Sequence, residues 1–443
     1  MRSLGNNDTV LFWDMFYLSD PRRFMYEDVK RVPYIYSQAW PYFLVLLAFE
    51  NILRIWQKKG SVRLNDSITS MSHAVLQECA KLLYRGWEHC LYFWIYDNYR
   101  VCSLPWDSIL FWYCTAILVD FCYYWMHRAS HEIHVFWAQH QVHHSSDEFN
   151  VTVGIRQSVF QSLVGFVCYV PLALFIPPVL LLVHQQLSLL YQVWIHTEAI
   201  PTLGPLEYLL NTPAHHKVHH GSTLRCLDKN YGGVLIVWDR IFGTFQEVKP
   251  KTKITYGLVY PMNRYNPVYL QVKNCFYNYN VYKKWNMMND WNNRLWSVIK
   301  GPSWMPGLSW TGKDGKNRVC AKGKRKKFDV KISWLLKVYI LIHFVASTNG
   351  YFALAKISPI EIDTPSMMIT IFYITWSFMS IGMLFEKSHW STFFELSRCL
   401  TLFIHLTYFE KSCLEILDES TMDGYRILFG PSTLIWFIAI LVG

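Results

Sequence analysis

The stretch HRASHEIHVFWAQHQVHH, residues 127–144, constrains this chain more than any other. His127 and His131 stand four apart, and His140, His143 and His144 follow at spacings of three and one. Residues three and four apart share a helix face, so each group points two or three imidazoles at one spot. A third group, His216, His219 and His220 in AHHKVHHG, repeats the three-plus-one spacing. Eight of the 17 histidines fall in these groups, enough to enclose two metal ions. A lone histidine is more often packed or hydrogen-bonded, but crowded imidazoles with nothing to bind would repel one another on protonation.

The donor set narrows the metal. Structural zinc is usually four-coordinate and completed by cysteine, and no cysteine pair stands near these groups. Imidazole binds iron well, so a paired non-haem iron centre suits the set better, with zinc, manganese and copper left open. The metalloprotease pattern H-E-x-x-H is absent, because His131-Glu132-Ile133-His134 is one residue short.

A chain of 443 residues that is 52% hydrophobic and 17% charged is expected to be an all-α, polytopic membrane protein with polar loops. Residues 1–30 carry charges throughout and lack the apolar core of a cleavable signal. The 11 cysteines are scattered without a C-x-x-C pair, so Cys114, Cys122 and Cys168 read as buried free thiols rather than a disulfide framework. The net charge of +10 is concentrated. Residues Lys217 to Lys331 hold 22 basic and six acidic side chains. In such apolar company this reads as a cytosolic, membrane-facing surface and not as a nucleic-acid site.

Hydropathy divides the chain into N-terminal membrane segments (1–107), a histidine core (108–248), a basic cytosolic linker (249–331) with KGKRKK at 322–327, and C-terminal membrane segments (332–443). Spans are expected at 39–56, 74–97 and 108–126, as a pair over 158–199 broken by Pro177 and Pro178, and at 332–354, 366–386, 389–409 and 430–443. Glu50 weakens the first. Asp120 lies two helical turns before His127, and an acid inside a span needs a partner, so it is expected to support a ligand. His196, ending the 158–199 pair just ahead of the third group, is a ninth candidate. His184 is about three turns, some 18 Å, away from it along a helix, too far for the same metal. Pro213 opens a helix that Asn211 or Thr212 is expected to cap. With a lumenal amino terminus, the histidine groups and the basic segment all fall on the cytosolic side, as the excess of Lys and Arg prefers. Of the N-x-[ST] sequons, Asn7 is then lumenal while Asn65 and Asn150 are cytosolic.

H-x-x-x-H, H-x-x-H-H and H-x-x-H-H at a membrane boundary resemble the signature of the fatty acid hydroxylase and sterol desaturase superfamily, over roughly residues 115–248. The segments HRASHE (127–132), QHQVHHSSDEFN (139–150), WIHTE (194–198), LGPLEYLLNTPAHHKVHHG (203–221) and DKNYGGVLIVWDRIFGTF (228–245) look closest to its alkylglycerol monooxygenase branch. The resemblance implies a multi-pass enzyme of the endoplasmic reticulum membrane with its di-iron site facing the cytosol. It implies hydroxylation of the ether-bearing carbon of an alkylglycerol with O2, iron and tetrahydrobiopterin. It also implies metal-ligand roles for His127, His131, His140, His143, His144, His216, His219 and His220, and a role in activity for Glu132. The chain departs from the hydroxylase branch at Gln192, where a further histidine is expected, so the ligand set with His196 is nine. Two other readings stay open: a fatty acyl or sterol hydroxylase or desaturase, which the histidines alone do not separate, and a histidine-rich metal transporter. Clusters at span ends rather than in mid-membrane broken helices argue against the transporter. Pterin-binding residues and oligomeric state are unassigned by the sequence.

Overall fold

The computed structural model describes residues 9–84, 86–247, 252–275, 281–312, 325–357, 363–410, 413 and 416–442. The apolar runs fold as helices. Among the described residues there is no strand, only isolated bridges such as Gly221 with Tyr256. The helices that matter here are α1 (Trp40–Trp56), α2 (Leu64–Tyr84), α3 (Trp87–Tyr99), α4 (Ile109–Glu132), α5 (His134–His140), α6 (Pro178–Trp194), α7 (Pro213–His219), α8 (Trp334–Ala355), α9 (Thr364–Glu386), α10 (Ser391–Tyr408) and α11 (Glu419–Val442). Four of them, α4, α8, α9 and α11, are long and apolar enough to cross a membrane. The protein is thus an all-helical, multi-pass membrane protein.

Several expected spans change. The segment 74–97 is not one helix: Gly86, in the left-handed region at φ +81°, separates α2 from α3. The count of crossings that places the histidines on the cytosolic side therefore loses one step. The last helix starts at Glu419 rather than at residue 430, because its charged first turns continue a helix whose apolar part alone was visible. The pair over 158–199 breaks as expected at Pro177 and Pro178, the latter taking the first turn of α6, where its missing N–H costs nothing. Asn7 and Lys322–Lys324 lie outside the described residues. Arg325, from the same basic run, is not a solvated linker residue: it donates to the carbonyl of Leu258 (2.8 Å) and to Ser222 Oγ (3.2 Å).

The chain forms two compact units. One comprises Met1–Arg63, Gly86–Pro261 and Tyr277–Lys326, and it holds the three histidine motifs and His196. Its amino-terminal turns pack on α6, with Phe16 and Trp194 ring centres 5.5 Å apart and Tyr17 Oη 2.8 Å from His184 Nδ1. His184, set aside as a ligand by its distance, thus has a partner elsewhere. The other unit comprises Leu64–Arg85, Met262–Phe276 and Lys327–Gly443. At its centre the buried Arg398 guanidinium pairs with Glu395 and donates to Ser377 Oγ (3.3 Å) and His343 Nδ1 (3.0 Å). Tyr339 Oη and Ser380 Oγ each donate to Glu395 at 2.6 Å. A buried ion pair is tolerated only when its remaining hydrogen-bonding capacity is met, and removing one partner costs about 3–5 kcal/mol.

Candidate metal centre

The structure gathers nine histidines into two buried groups. His127, His131, His140, His144 and His219 form one; His143, His196, His216 and His220 form the other. Within each, one nitrogen of every ring lies within 4.8 Å of the rest. The sequence motifs interleave rather than each building its own pocket. The pairs spaced by four, 127 with 131, 140 with 144 and 216 with 220, stay together. The members at spacing three, His143 and His219, cross to the opposite group.

Helix ends deliver these rings. Carrying His127 and His131 on its last turns, α4 stops at Ile133, whose extended backbone lets α5 restart at His134. Past the end of α5 a single 3-10 turn holds His143 and His144. Thr212 stands at the start of α7, but neither it nor Asn211 caps the helix with its side chain: Asn211 Nδ2 instead donates to the Gly232 carbonyl at 2.6 Å. Gly221, after α7, is needed for space and not for an unusual φ, since a Cβ there would meet Cys226 Cβ at 2.6 Å.

Backbone carbonyls fasten the rings. The Nδ1–H of His127 donates to Tyr231 O (2.8 Å), that of His143 to Arg156 O (3.1 Å), that of His196 to Gln192 O (2.6 Å), and that of His219 to Lys229 O (2.9 Å). This assigns the tautomer: the proton sits on Nδ1, leaving Nε2 with a bare lone pair. Yet His196 Nε2 lies 3.2 Å from His143 Nε2, 3.1 Å from His220 Nε2 and 2.9 Å from His216 Nε2. His140 Nε2 is likewise 3.1 Å from His127 Nε2 and 3.2 Å from His144 Nε2. Between His143 and His196 no proton is left for a hydrogen bond, so two lone pairs face each other. A cation between them relieves this, and ligands at right angles on bonds of about 2.1 Å would stand about 3.0 Å apart. The residues present therefore fit two metal ions.

Burial supports the same chemistry. His140, His143, His144, His216, His219 and His220 all titrate well below the usual imidazole range, first because burial disfavours the charged ring and then because neighbouring rings repel it. For His196 burial alone pushes the value down to about 4. These seven rings are neutral at pH 7, as ligation requires.

A further shell holds the fasteners. Buried Asp239 accepts from Tyr231 N (2.8 Å), Gly232 N (2.7 Å) and Thr244 Oγ1 (2.6 Å), and so fixes the carbonyl that orients His127. Asp120 touches no histidine: it accepts from Val234 N (2.8 Å), Leu235 N (3.1 Å) and Trp238 Nε1 (2.9 Å), and supports His127 only through that turn. Gln192 sends its side chain to Ser188 Oγ (3.2 Å), and its carbonyl takes the His196 proton. Glu50, expected to weaken its span, is buried and joins Val151 N (2.9 Å) to Thr197 Oγ1 (2.5 Å), bridging the segments that follow His143 and His196. The Glu132 carboxylate lies outside both groups, 3.2 Å from Arg128 Nε. Asp228 Oδ1 stands 3.7 Å from His131 Nδ1.

The histidine motifs alone do not mark Asp239, Tyr231 and Asp228. The signal available was the run DKNYGG, whose Asp228 and Asn230 both adopt φ +57°, a backbone region in which Asp and Asn are enriched. His343, Glu395 and Cys399 in the other unit also come close together, but they do not make a third metal site. Arg398 donates to His343 Nδ1, and His343 Nε2 lies 3.1 Å from Ser432 Oγ, so both ring nitrogens are used.

The fatty acid hydroxylase family matches residues 112–244, and the alkylglycerol monooxygenase C-terminal domain matches residues 336–419. The alkylglycerol monooxygenase of Xenopus tropicalis is 39% identical over 415 residues, covering 92% of this chain and 91% of that protein. The Homo sapiens protein of the same name is 37% identical over 424 residues, covering 95% and 93%. By contrast, lathosterol oxidase of Homo sapiens matches 132 residues, 29% of this chain, at 30% identity. No solved structure matches. Similarity of that degree runs along nearly the whole chain, beyond the histidine core shared with the wider superfamily, and so the chain belongs to the alkylglycerol monooxygenase family.

Proposed function

We propose that this chain is a membrane monooxygenase that hydroxylates the ether-bearing carbon of alkylglycerols, using O2, two iron ions and tetrahydrobiopterin. The hemiacetal formed breaks down to a fatty aldehyde and a glycerol derivative. The observation that carries the reading is the pair of histidine groups with converging Nε2 atoms; the relatives' name supplies the substrate. The iron ions, held by His127, His131, His140, His144 and His219 and by His143, His196, His216 and His220, would supply oxygen activation.

The chain's own residues do the rest. The carbonyls of Tyr231, Arg156, Gln192 and Lys229 hold four rings with Nε2 inward, so little reorganisation accompanies metal uptake. Glu132 follows His131 but points about 100° away from it on the helix, so it serves substrate or pterin rather than metal. The apolar membrane-length α4, which ends in the ligands, places the reacting atoms where an alkyl chain arrives from the bilayer. We place the protein in the endoplasmic reticulum membrane with this site cytosolic, on the strength of the basic segment Lys217–Lys331. The division into 1–107, 108–248, 249–331 and 332–443 is retained as the functional partition.

The test is a metal-resolved assay of the purified protein with 1-O-hexadecylglycerol, reading hexadecanal release with and without tetrahydrobiopterin. Aldehyde is expected only with iron, O2 and pterin together. Release without pterin, or oxidation of a sterol or fatty acyl substrate in its place, overturns the reading.

A further inference from the structure

The bundle of α8–α11 contains a cavity of about 80 Å³, remote in sequence from every histidine of the metal centre. One water needs about 10–15 Å³ by the same measure, so the space is larger than a packing gap and admits part of an alkyl chain. Its lining looks more polar than it is. Ser347 Oγ donates to the His343 carbonyl (2.8 Å), Thr370 Oγ1 to Ser366 O (2.9 Å), Ser377 Oγ to Tyr373 O (2.8 Å) and Tyr425 Oη to Ala346 O (2.7 Å). These hydroxyls are committed to backbone, so they present carbon to the cavity. Two groups are not committed. Tyr373 and His405 both line the space with ring centres 5.5 Å apart, and among the described residues neither the hydroxyl nor the imidazole nitrogens has a hydrogen-bond partner.

The cavity also has a definite depth. Gly350 lies 16 residues beyond Trp334, about 24 Å along α8 at 1.5 Å per residue. The first half of α9, from Ser366 to Ser377, the last turns of α10 and Tyr425 and Phe429 of α11 line the same space, with Cys413 and Leu417 beside it. The space thus runs from the middle of the bundle toward the end away from Trp334.

We propose that this bundle holds a second lipid site, which takes a single-chain amphiphile with an uncharged, hydrogen-bonding headgroup: chain along the apolar walls, headgroup on Tyr373 and His405. A single-chain ether lipid and a fatty alcohol or aldehyde share this chemistry. The site is independent of the metal centre and of the reaction proposed for it.

The probe is 1-O-hexadecylglycerol carrying a mid-chain diazirine and a terminal alkyne, photolysed on the full-length protein in nanodiscs and mapped by peptide mass spectrometry. Labelling is expected on α8–α11 around the cavity, competed by unlabelled hexadecylglycerol or hexadecanal but not by phosphatidylcholine. Gly350→Phe fills the space, since a Cβ there meets only Ile374 at 4.0 Å, and it is expected to abolish this labelling. Should that variant fail to fold, Tyr373→Phe with His405→Ala keeps the cavity. It is expected to weaken competition by hexadecylglycerol about 5- to 150-fold, two hydrogen bonds' worth, while leaving competition by hexadecane unchanged. Labelling spread evenly to the exposed Val345 and Leu434, labelling that survives the filled variant, or equal competition by phosphatidylcholine overturns the site.

Discussion

Glu50 offers the sharpest test of how the metal centre is held. It lies in α1, far in sequence from any histidine motif, and is only 2% exposed. Its two oxygens accept from Val151 N at 2.9 Å and Thr197 Oγ1 at 2.5 Å. Thr197 follows His196 directly, and Val151 ends the segment that begins at His143; both histidines belong to the four-membered group. Glu50→Ala leaves two buried donors without acceptors, at about 1–3 kcal/mol each. Losing support of this kind typically weakens metal binding about 10- to 100-fold. Glu50→Gln keeps an oxygen for Val151 N–H and can turn its amide toward the Thr197 hydroxyl, so it forfeits at most about 1 kcal/mol, roughly fivefold. The assay is metal per polypeptide by mass spectrometry after dialysis against graded chelator. Glu50→Ala is expected to lose one ion at 10- to 100-fold lower chelator while the second stays. Retention of both ions, or loss of both together, refutes a specific role in the four-histidine group. A Gln variant as poor as the Ala variant would assign the effect to charge rather than to these two bonds.

Other outcomes follow from the same geometry. His143→Ala and His144→Ala, neighbours in sequence, should destabilise different ions, with His196→Ala reproducing the first and His219→Ala the second; chelator titration of each variant decides this. Glu132→Gln is expected to lose turnover with metal content unchanged, because its carboxylate rests on Arg128 and not on either histidine group; parallel loss of metal would make it a ligand or a support for one. Asn150→Gln should leave electrophoretic mobility unchanged with or without glycosidase, since Asn150 is 1% exposed and holds Thr152 through its Oδ1, and a shift would contradict that burial. Exposed Cys102 precedes α4 and so lies across the membrane from His127; in sealed microsomes it should resist an impermeant maleimide until detergent is added, and immediate labelling would invert the cytosolic placement of the site.

What could be read of the fold tracked how local its cause is. Apolar runs long enough for a bilayer gave α4, α8 and α9 nearly as expected, and prolines at 177 and 178 gave the break before α6. Errors arose where long-range contacts decide. Residues 74–97 read as one span because a lone Gly86 does not announce a helix end, and because the long-range partner of a polar side chain such as Thr69, whose Oγ1 donates to Tyr265 O at 3.0 Å, is invisible in the local pattern. Glu50 read as a defect in a span for the same reason: its partners lie 101 and 147 residues away, and no periodicity encodes them. Burying its charge is tolerable only because both acceptor atoms are used.

The histidines were legible as a set, and their division between two groups follows from angles the sequence already contains. On a helix, residues at spacing four lie about 40° apart, those at spacing three about 60° apart on the other side, and adjacent residues about 100° apart. In H-x-x-H-H the first and last rings therefore align best, and the middle one is displaced away from its neighbour. That is the partition found for His216 and His220 against His219, which α7 carries almost entire. The same partition holds for His140 and His144 against His143, although a 3-10 turn has replaced the α-helix there. Two such motifs facing one another exchange their middle rings, so neither ion can be bound by one segment alone. Each group then spans three separate segments: His127 and His131, His140 and His144, and His219 on one side; His143, His196, and His216 and His220 on the other. Metal binding in such a site closes long loops, and the entropy of that closure couples the occupancy of each group to the fold of the three segments it joins.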